Sequence, residues 1–295
     1  MSMVVAVSKK DTALSKLAFV DNFESKVFDF TFSKASSDDP LQAGAVTVVI
    51  PALNEAGNLE KLFERISIAF DELSLTLPVL VIDDGSTDES PEILAQLAEK
   101  HTFLSVIRHP QRRGVAAVWQ TALEHVKTDW IFWGQADLES DPATDIPALL
   151  RAYRPGMTAV AGWRQQRGDG KTQASQLANR ACRWTFGLKI HDMNWIKLVR
   201  RDALVGLPIE LITHRFLLAV LAGLGHQVEE VKTHWHPRFA GTSKFGKKRL
   251  MTSAQDFLKV VTWFYLERPL GRASRYIAMA NTYLQERFLA ETINA

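Results

Sequence analysis

Three stretches of the sequence decide the fold: residues 46–55 (VTVVIPALNE), residues 79–88 (VLVIDDGSTD) and residues 130–139 (WIFWGQADLE). Each begins with a short apolar run, over 46–50, 79–82 and 130–133, that predicts a buried strand, and each ends in polar residues. A further strand is predicted over 104–108, and apolar residues recur at helical spacing in three ranges: 58–70, 90–100 and 114–126. This alternation predicts an α/β fold, with a mostly parallel central sheet flanked by helices.

The polar residues of all three stretches follow the carboxyl end of a predicted strand. Ligands of such folds bind just beyond that edge of the sheet. Loop carboxylates are often only turn formers or helix caps, and residues 84–88 taken alone fit that interpretation. Because three polar clusters converge on one edge, we expect them to form a ligand site.

Size and composition bound the class of protein. The chain has 295 residues, 46% of them hydrophobic, so it can bury a sizeable core, and neither a disordered nor a fibrous protein fits. Its one cysteine, Cys182, excludes a disulfide framework and fits a reducing compartment. We identify no signal peptide, and the longest apolar stretches, 216–224 and 260–266, are too short to span a membrane. A cytoplasmic protein is expected.

The net charge of +2 hides an asymmetry between the two halves of the chain. Residues 1–150 hold 12 Lys and Arg and 23 Asp and Glu, a net charge of −11, so residues 151–295 carry +13. Acidic groups suit metal and base recognition, whereas basic groups suit phosphates or an anionic surface. Two solvated surfaces of opposite sign are the alternative interpretation. No nucleic-acid partner is expected.

We predict three parts in the chain. Residues 1–43 form an N-terminal extension that ends in a linker-like segment, and residues 44–250 form the catalytic domain. Residues 251–295 form a helical segment in which aromatic residues lie among basic ones. That segment would contact a membrane surface or a partner, or dock onto the protein's own core.

Six segments, taken in order, resemble the signature segments of family 2 glycosyltransferases. They are residues 50–55, 81–88, 135–139, 161–164, 191–201 and 237–244. The nearest branch is that of the dolichol-phosphate mannose synthase-like enzymes, which glycosylate polyprenyl phosphates. The resemblance covers roughly residues 45–250. It implies the nucleotide-sugar fold called GT-A, a nucleotide diphosphate-sugar donor, a divalent cation, an inverting reaction and a lipid-phosphate acceptor.

The resemblance also assigns residues to the donor. In the family, the Pro and Glu of the first segment and an Asp of the second hold the base and ribose, which maps to Pro51, Glu55 and Asp83 or Asp84. Arg164 and Lys171 would lie beside the donor phosphates. The full set of expected donor-binding residues is Pro51, Leu53, Glu55, Asp83, Asp84, Gln135, Ala136, Asp137, Arg164 and Lys171.

The expected metal site is a permuted version of the family motif. The branch commonly reads Asp-x-Asp-x-Gln, whereas this chain has Gln135, Asp137 and Glu139 at the three positions. Two carboxylates and one amide remain, so we expect Asp137 to anchor Mg²⁺ or Mn²⁺, with Glu139 second and Gln135 as a neutral partner. The alternatives are that Asp137 caps the helix before Pro142 and that Glu139 only caps or solvates a turn.

The acceptor decides whether a catalytic base is needed. By resemblance, Arg238 and Lys244 flank an acceptor phosphate, and Asp137, Arg164, Arg238 and Lys244 are the expected catalytic residues. A phosphate monoester is already an anionic nucleophile that needs positioning rather than deprotonation.

Two rival functions stay open. A transferase acting on a saccharide or natural-product hydroxyl would use Glu210 or His214 as its base. A catalytically weak homologue would bind the nucleotide-sugar as a subunit of a complex, an idea that the altered Gln135 motivates. A homo-oligomer and a peripheral contact with the membrane are also open.

Overall fold

The fold is seen in a computed structural model, which describes residues 17–19, 39–42, 44–165, 172–240 and 249–269. The strands of these ranges are β1 Leu17–Phe19, β2 Val46–Ala52, β3 Val79–Asp83, β4 Leu104–Arg108, β5 Trp130–Trp133, β6 Met157–Gln165, β7 Lys197–Arg200 and β8 Gln227–His234. The α-helices are α1 Ala56–Leu73, α2 Ser90–Lys100, α3 Val115–His125, α4 Pro142–Ala152, α5 Thr172–Phe186, α6 Ile209–Gly223 and α7 Arg249–Thr262. A 3₁₀ turn, Asp202–Leu204, and a π-helix, Trp263–Glu267, complete the set.

The strands form one mostly parallel sheet, in the order β1-β4-β3-β2-β5-β7-β6-β8. The first five strands in that order run parallel, β7 is antiparallel to both of its neighbours, and β6 pairs with β8 in parallel. The predicted α/β class is therefore confirmed. The predicted ranges 90–100, 104–108 and 130–133 match α2, β4 and β5, whereas β2 and β3 extend to Ala52 and Asp83.

Helices cover both faces of the sheet, which explains why its strands read as continuous apolar runs. Alternate residues of one strand enter two different cores: Val48 belongs to the core that contains residues of α1, α2 and α4, and Val49 belongs to the core that contains residues of α3, α5, α6 and α7. The helices cover the two faces of the sheet, and the polar loops lie at the carboxyl edge of β2, β3 and β5.

The two ends of the chain are placed in part. β1 lies within the predicted extension 1–43 and pairs in parallel with β4, while most of that extension lies outside the described residues. In the C-terminal segment, Val260, Trp263 and Phe264 are buried in the second core, so its described part docks onto the protein itself. Residues 270–295 lie outside the described range, and the proposed domain limits stay a prediction.

Asp145 is a buried carboxyl group in the first turns of α4. It is 2% exposed, and its Oδ2 accepts a hydrogen bond from the backbone N–H of Asp141 over 3.0 Å. Burial, and then the neighbouring charge of Asp141, raise the pKa of Asp145 to about 7. The folded state therefore binds more protons than the unfolded state between pH 3.8 and about 7. This group makes the folded state less stable as pH rises through that window.

Asp145→Asn should raise the melting temperature at about pH 8 by a few degrees, the size expected for roughly 1 kcal/mol. The amide oxygen still accepts the bond from Asp141, but no buried charge remains. Melting followed by circular dichroism from about pH 5 to pH 8 checks this, with the exposed Asp71→Asn as control. A variant that loses stability at pH 8 would show that the Asp145 charge is stabilising.

Candidate active site

The three polar loops meet at one edge of the sheet, as the sequence predicts. They follow β3, β2 and β5, which are neighbours in that order and run parallel. Residues 84–88, 53–55 and 134–139 therefore lie side by side. Pro51 and Leu53 are half-buried at this edge and Ala136 is buried.

The loops after β2 and β3 are joined by hydrogen bonds. The N–H of Asn54 donates to Ser86 Oγ over 2.8 Å, and the N–H of Thr87 donates to Asn54 Oδ1 over 2.7 Å. The N–H of Glu55, at the start of α1, donates to Ser90 Oγ over 2.9 Å. These bonds supply acceptors for backbone N–H groups at the start of α1 and fix the two loops as one unit.

Asp83 and Asp84 bind the protein itself. Asp83 is fully buried, its Oδ1 accepts from the N–H of Ser86, and its Oδ2 lies 3.2 Å from Arg108 Nε. Asp84 accepts 2.8 Å bonds from the N–H groups of Arg113 and Gly114. Asp83 thus holds its own turn and the end of β4, and Asp84 holds the loop after β4, while their binding to the donor stays a prediction.

A buried histidine completes this arrangement. His109 Nδ1 lies 2.9 Å from Asp84 Oδ1, and its Nε2 lies 2.9 Å from Thr121 Oγ1 in α3. Burial opposes ionisation of Asp84, but hydrogen bonds from His109 and from two backbone N–H groups outweigh it and lower the pKa of Asp84. Sequence reasoning missed His109, because no motif marks it and Asp84 lies 25 residues away.

The acidic pair after β5 holds an arginine from the distant end of the domain. Arg238 Nη2 lies 2.7 Å from Asp137 Oδ2, and its Nε donates to Glu139 Oε1 over 2.7 Å. The N–H of His236 also donates to the backbone oxygen of Glu139 over 2.9 Å. The structure therefore brings together three residues that sequence reasoning assigned to metal and acceptor.

Neither alternative interpretation of the acidic pair holds. The residue that caps α4 is Asp141, whose side chain accepts from the N–H of Ala143, so the cap role considered for Asp137 is wrong. Glu139 is ion-paired rather than solvated, with 21% of its side chain exposed. Burial, and then the charge of Glu139, raise the pKa of Asp137 to about 6.

The pair fits a hard divalent cation in part. Two carboxylates converge on one cationic group, and carboxylate oxygens are the ligands that Mg²⁺ and Mn²⁺ prefer. Across the described ranges no three His, Cys, Asp or Glu side chains are grouped to hold a metal, so the remaining ligands must come from elsewhere. Gln135 Oε1 is buried without a hydrogen-bond partner in the described part, and Gln135 borders a small cavity beside Ile50 and Ile66. An orphaned buried oxygen is costly, which indicates a missing partner such as water.

Arg164 is held by a carboxylate of this chain. Its Nε and Nη2 lie 2.5 and 2.9 Å from the two oxygens of Asp192, and its guanidinium stacks 4.4 Å from the Trp195 ring. Lys197, 1% exposed, donates to the Trp195 backbone oxygen over 2.8 Å, and burial lowers its pKa to about 8. Sequence reasoning gave Asp192 and Lys197 no role, although both lie in a quoted segment.

Several predicted residues cannot be placed. Lys171 and Lys244 lie outside the described residues. The candidate bases Glu210 and His214 belong to α6, but their side chains are outside what the structure describes.

The comparison with known families decides the class. Residues 47–205 match the family described as Glycosyl transferase family 2, more than half of the chain. The chain belongs to glycosyl transferase family 2. It is therefore a glycosyltransferase, as the six segments predicted.

Curated relatives and a solved structure agree with this assignment. The dodecaprenyl-phosphate galacturonate synthase of Rhizobium johnstonii is 27% identical over 242 residues, covering 79% of this chain and 71% of the relative. The undecaprenyl-phosphate 4-deoxy-4-formamido-L-arabinose transferase of Salmonella choleraesuis is 29% identical over 223 residues, covering 74% and 67%. Glucosyl-3-phosphoglycerate synthase from Mycobacterium tuberculosis, in complex with Mn²⁺, UDP and phosphoglyceric acid, superposes with a TM-score of 0.54 at 20% identity, covering 75% and 78%. This last likeness concerns the fold alone and confirms the GT-A architecture.

Gly85 tests how tightly the loops are packed. Its φ is +75°, and a Cβ there would lie 2.4 Å from the backbone carbon of Gln111. Gly85→Ala should therefore lower stability by about 2–4 kcal/mol, since backbone strain and overpacking add. Chemical denaturation measures the loss. Gly187→Ala is the matched control, with φ +70° and nothing within 4 Å of the new Cβ. Equal losses in the two variants would contradict the close approach of the loops.

Proposed function

We propose that this glycosyltransferase moves a sugar from a nucleotide diphosphate carrier onto a polyprenyl phosphate, with inversion and the help of Mg²⁺ or Mn²⁺. The observation that carries the proposal is the acidic pair Asp137–Glu139 beside the joined loops of β2 and β3. The names of the curated relatives, which are transferases of sugars to polyprenyl phosphates, support the acceptor class.

The donor would lie across the joined loops. Pro51, Leu53, Glu55 and Ala136 line the edge where the base and ribose would rest. The Glu55 carboxylate is oriented by Asn58, whose Nδ2 donates to it over 2.7 Å. Asp83 and Asp84 then act chiefly by positioning, since their bonds to Arg108, His109 and the backbone fix the loop that faces the donor.

The metal would be held by Asp137 and Glu139, with Gln135 able to contribute a neutral oxygen after a side-chain rearrangement. When bound, it would neutralise charge that develops on the leaving diphosphate. The two carboxylates alone leave coordination positions open, and diphosphate oxygens of the donor suit them.

The acceptor chemistry needs no base from the protein. An oxygen of the acceptor phosphate attacks the anomeric carbon, the bond from that carbon to the donor diphosphate breaks, and the nucleoside diphosphate leaves with both electrons. Arginine and lysine position and screen such phosphates. Arg238 and Lys244 would serve the acceptor and Lys171 the donor. Arg164, held by Asp192, would also serve the donor phosphates.

A membrane surface is the proposed meeting place with the acceptor. None of the helices in the described ranges has the length and hydropathy needed to cross a bilayer. Trp184, at the end of α5, is 87% exposed, and the neighbouring Tyr265 donates a hydrogen bond to the backbone oxygen of Thr185. Leu258 and Leu266 are also exposed, and exposed basic residues accompany this patch: Arg183, Lys259 and Arg268. Aromatic and basic groups together suit an anionic bilayer surface, at the cytoplasmic face.

The direct test is a transfer assay with a panel of nucleotide-sugars and an undecaprenyl phosphate, with Mg²⁺, Mn²⁺ or a chelator. Labelled sugar should move into the organic phase only when both the polyprenyl phosphate and the metal are present. Donor binding without turnover would favour the role of a binding subunit. Label transferred to a water-soluble saccharide would favour the hydroxyl acceptor.

The acidic pair makes a second prediction. Asp137→Asn and Glu139→Gln should each lower kcat/KM at least about 100-fold, because several kcal/mol of charge stabilisation are lost. Gln135→Asp should retain activity and its metal dependence. Manganese titrations of turnover in the three variants measure this. Wild-type metal dependence in Glu139→Gln would leave Asp137 as the single carboxylate ligand.

A third prediction concerns the exposed patch around Trp184. Trp184→Ser should weaken binding to vesicles of phosphatidylglycerol by about tenfold, as expected for losing one buried aromatic side chain. Vesicle sedimentation measures the binding. Ile68→Ser, an exposed apolar site on α1 at the other face of the sheet, is the control. Equal binding by the two variants would rule out this patch as the contact.

A further inference from the structure

Arg238 stands out among the arginines of the site because it serves two carboxylates at once. The pairs Arg65–Asp141 and Arg164–Asp192 each join one guanidinium to one acid. Arg238 instead bridges Asp137 and Glu139, and the charge of Glu55 also acts on both Arg238 and Asp137. The bridged cluster of two acids and one arginine carries a net charge of −1.

Burial makes the guanidinium necessary in this arrangement. The exposed fractions of the three side chains are 16% for Arg238, 15% for Asp137 and 21% for Glu139. The carboxylates of Asp137 and Glu139 repel each other because they share one cationic partner and are mostly shielded from water. The positive charge of the guanidinium offsets that repulsion.

A divalent cation and the guanidinium cannot occupy this place together. The Arg238 nitrogens lie 2.7 Å from Asp137 Oδ2 and Glu139 Oε1. A metal ion would need those oxygens within about 2.0–2.2 Å, in the direction that the guanidinium now fills. A metal ion that binds Asp137 Oδ2 and Glu139 Oε1 must therefore break both ion pairs of Arg238.

We infer that Arg238 is the resident cation of the acidic pair and that a divalent cation binds by exchange with it. This inference rests on the metal site of the proposed function. The exchange neutralises the cluster and frees a guanidinium beside the site only when the metal is present. An arginine freed in this way is suited to a phosphate, so cation binding would prepare the site to bind one.

The backbone contacts near Arg238 allow the exchange to occur by movement of its side chain alone. The N–H of His236 donates to the Glu139 backbone oxygen, so the chain two residues before Arg238 stays attached to the acidic loop. The guanidinium can then leave the carboxylates by rotation of its own side chain while its Cα stays beside them.

The test is Mn²⁺ binding without nucleotide, followed by the electron paramagnetic resonance signal of free Mn²⁺. Arg238→Gln should bind Mn²⁺ about tenfold more tightly than the wild type, the size of a modest coupling between two competing ligands. Arg238→Lys, which keeps a cation, should lie between the two. Arg65→Gln, which breaks a comparable ion pair elsewhere, should bind like the wild type. Asp137→Asn should abolish the binding and so assign it to this site.

The melting temperature gives a second readout, which does not depend on a measured affinity. With chelator, Arg238→Gln should melt below the wild type, and Mn²⁺ should raise its melting temperature more than that of the wild type. Equal or weaker Mn²⁺ binding by Arg238→Gln would overturn the exchange while leaving the metal site intact. If neither the wild type nor Arg238→Gln binds Mn²⁺, the exchange and the metal site of the proposed function both fail.

Discussion

Buried negative charge at one edge of the sheet is the constraint on which the site depends. Three parallel neighbouring strands deliver their carboxylates to the same place, and each carboxylate needs a compensating group. Arg108 compensates Asp83, and His109 with two backbone N–H groups compensates Asp84. Arg238 compensates the pair after β5. The partners come from later strands and loops, so the charges tie distant parts of the chain to the edge.

These ion pairs divide the site into a fixed part and a part that we propose to be exchangeable. Asp83 and Asp84 are buried and held by hydrogen bonds and by the ion pair with Arg108 within the protein, which suits a rigid platform for the donor. Asp137 and Glu139 share one guanidinium, and a partner of higher charge would satisfy them better. A glycosyltransferase needs both properties, since it must hold a nucleotide in place and still admit and release a metal–diphosphate pair.

The sequence predicts the sheet well because the signals are local. The runs 104–108 and 130–133 become β4 and β5 without change, and parallel pairing then places their loops on one edge. The contacts within the site could not be predicted in the same way. Arg238 and Glu139 lie 99 residues apart, and only the folded chain shows that an arginine expected at the acceptor contacts the acids expected to bind the metal. The motif likewise assigns Asp83 and Asp84 to the donor, and only the folded chain shows that their carboxylates also contact Arg108 and His109.

The central claim is that a phosphate, not a hydroxyl, receives the sugar, and ³¹P NMR of the acceptor during the reaction tests it most directly. With a nucleotide-sugar, a divalent cation and a short-chain polyprenyl phosphate, the account predicts that the phosphomonoester resonance is replaced by a phosphodiester resonance. One nucleoside diphosphate should appear for each diester formed. A monoester resonance that persists unchanged while the donor is consumed would contradict the account.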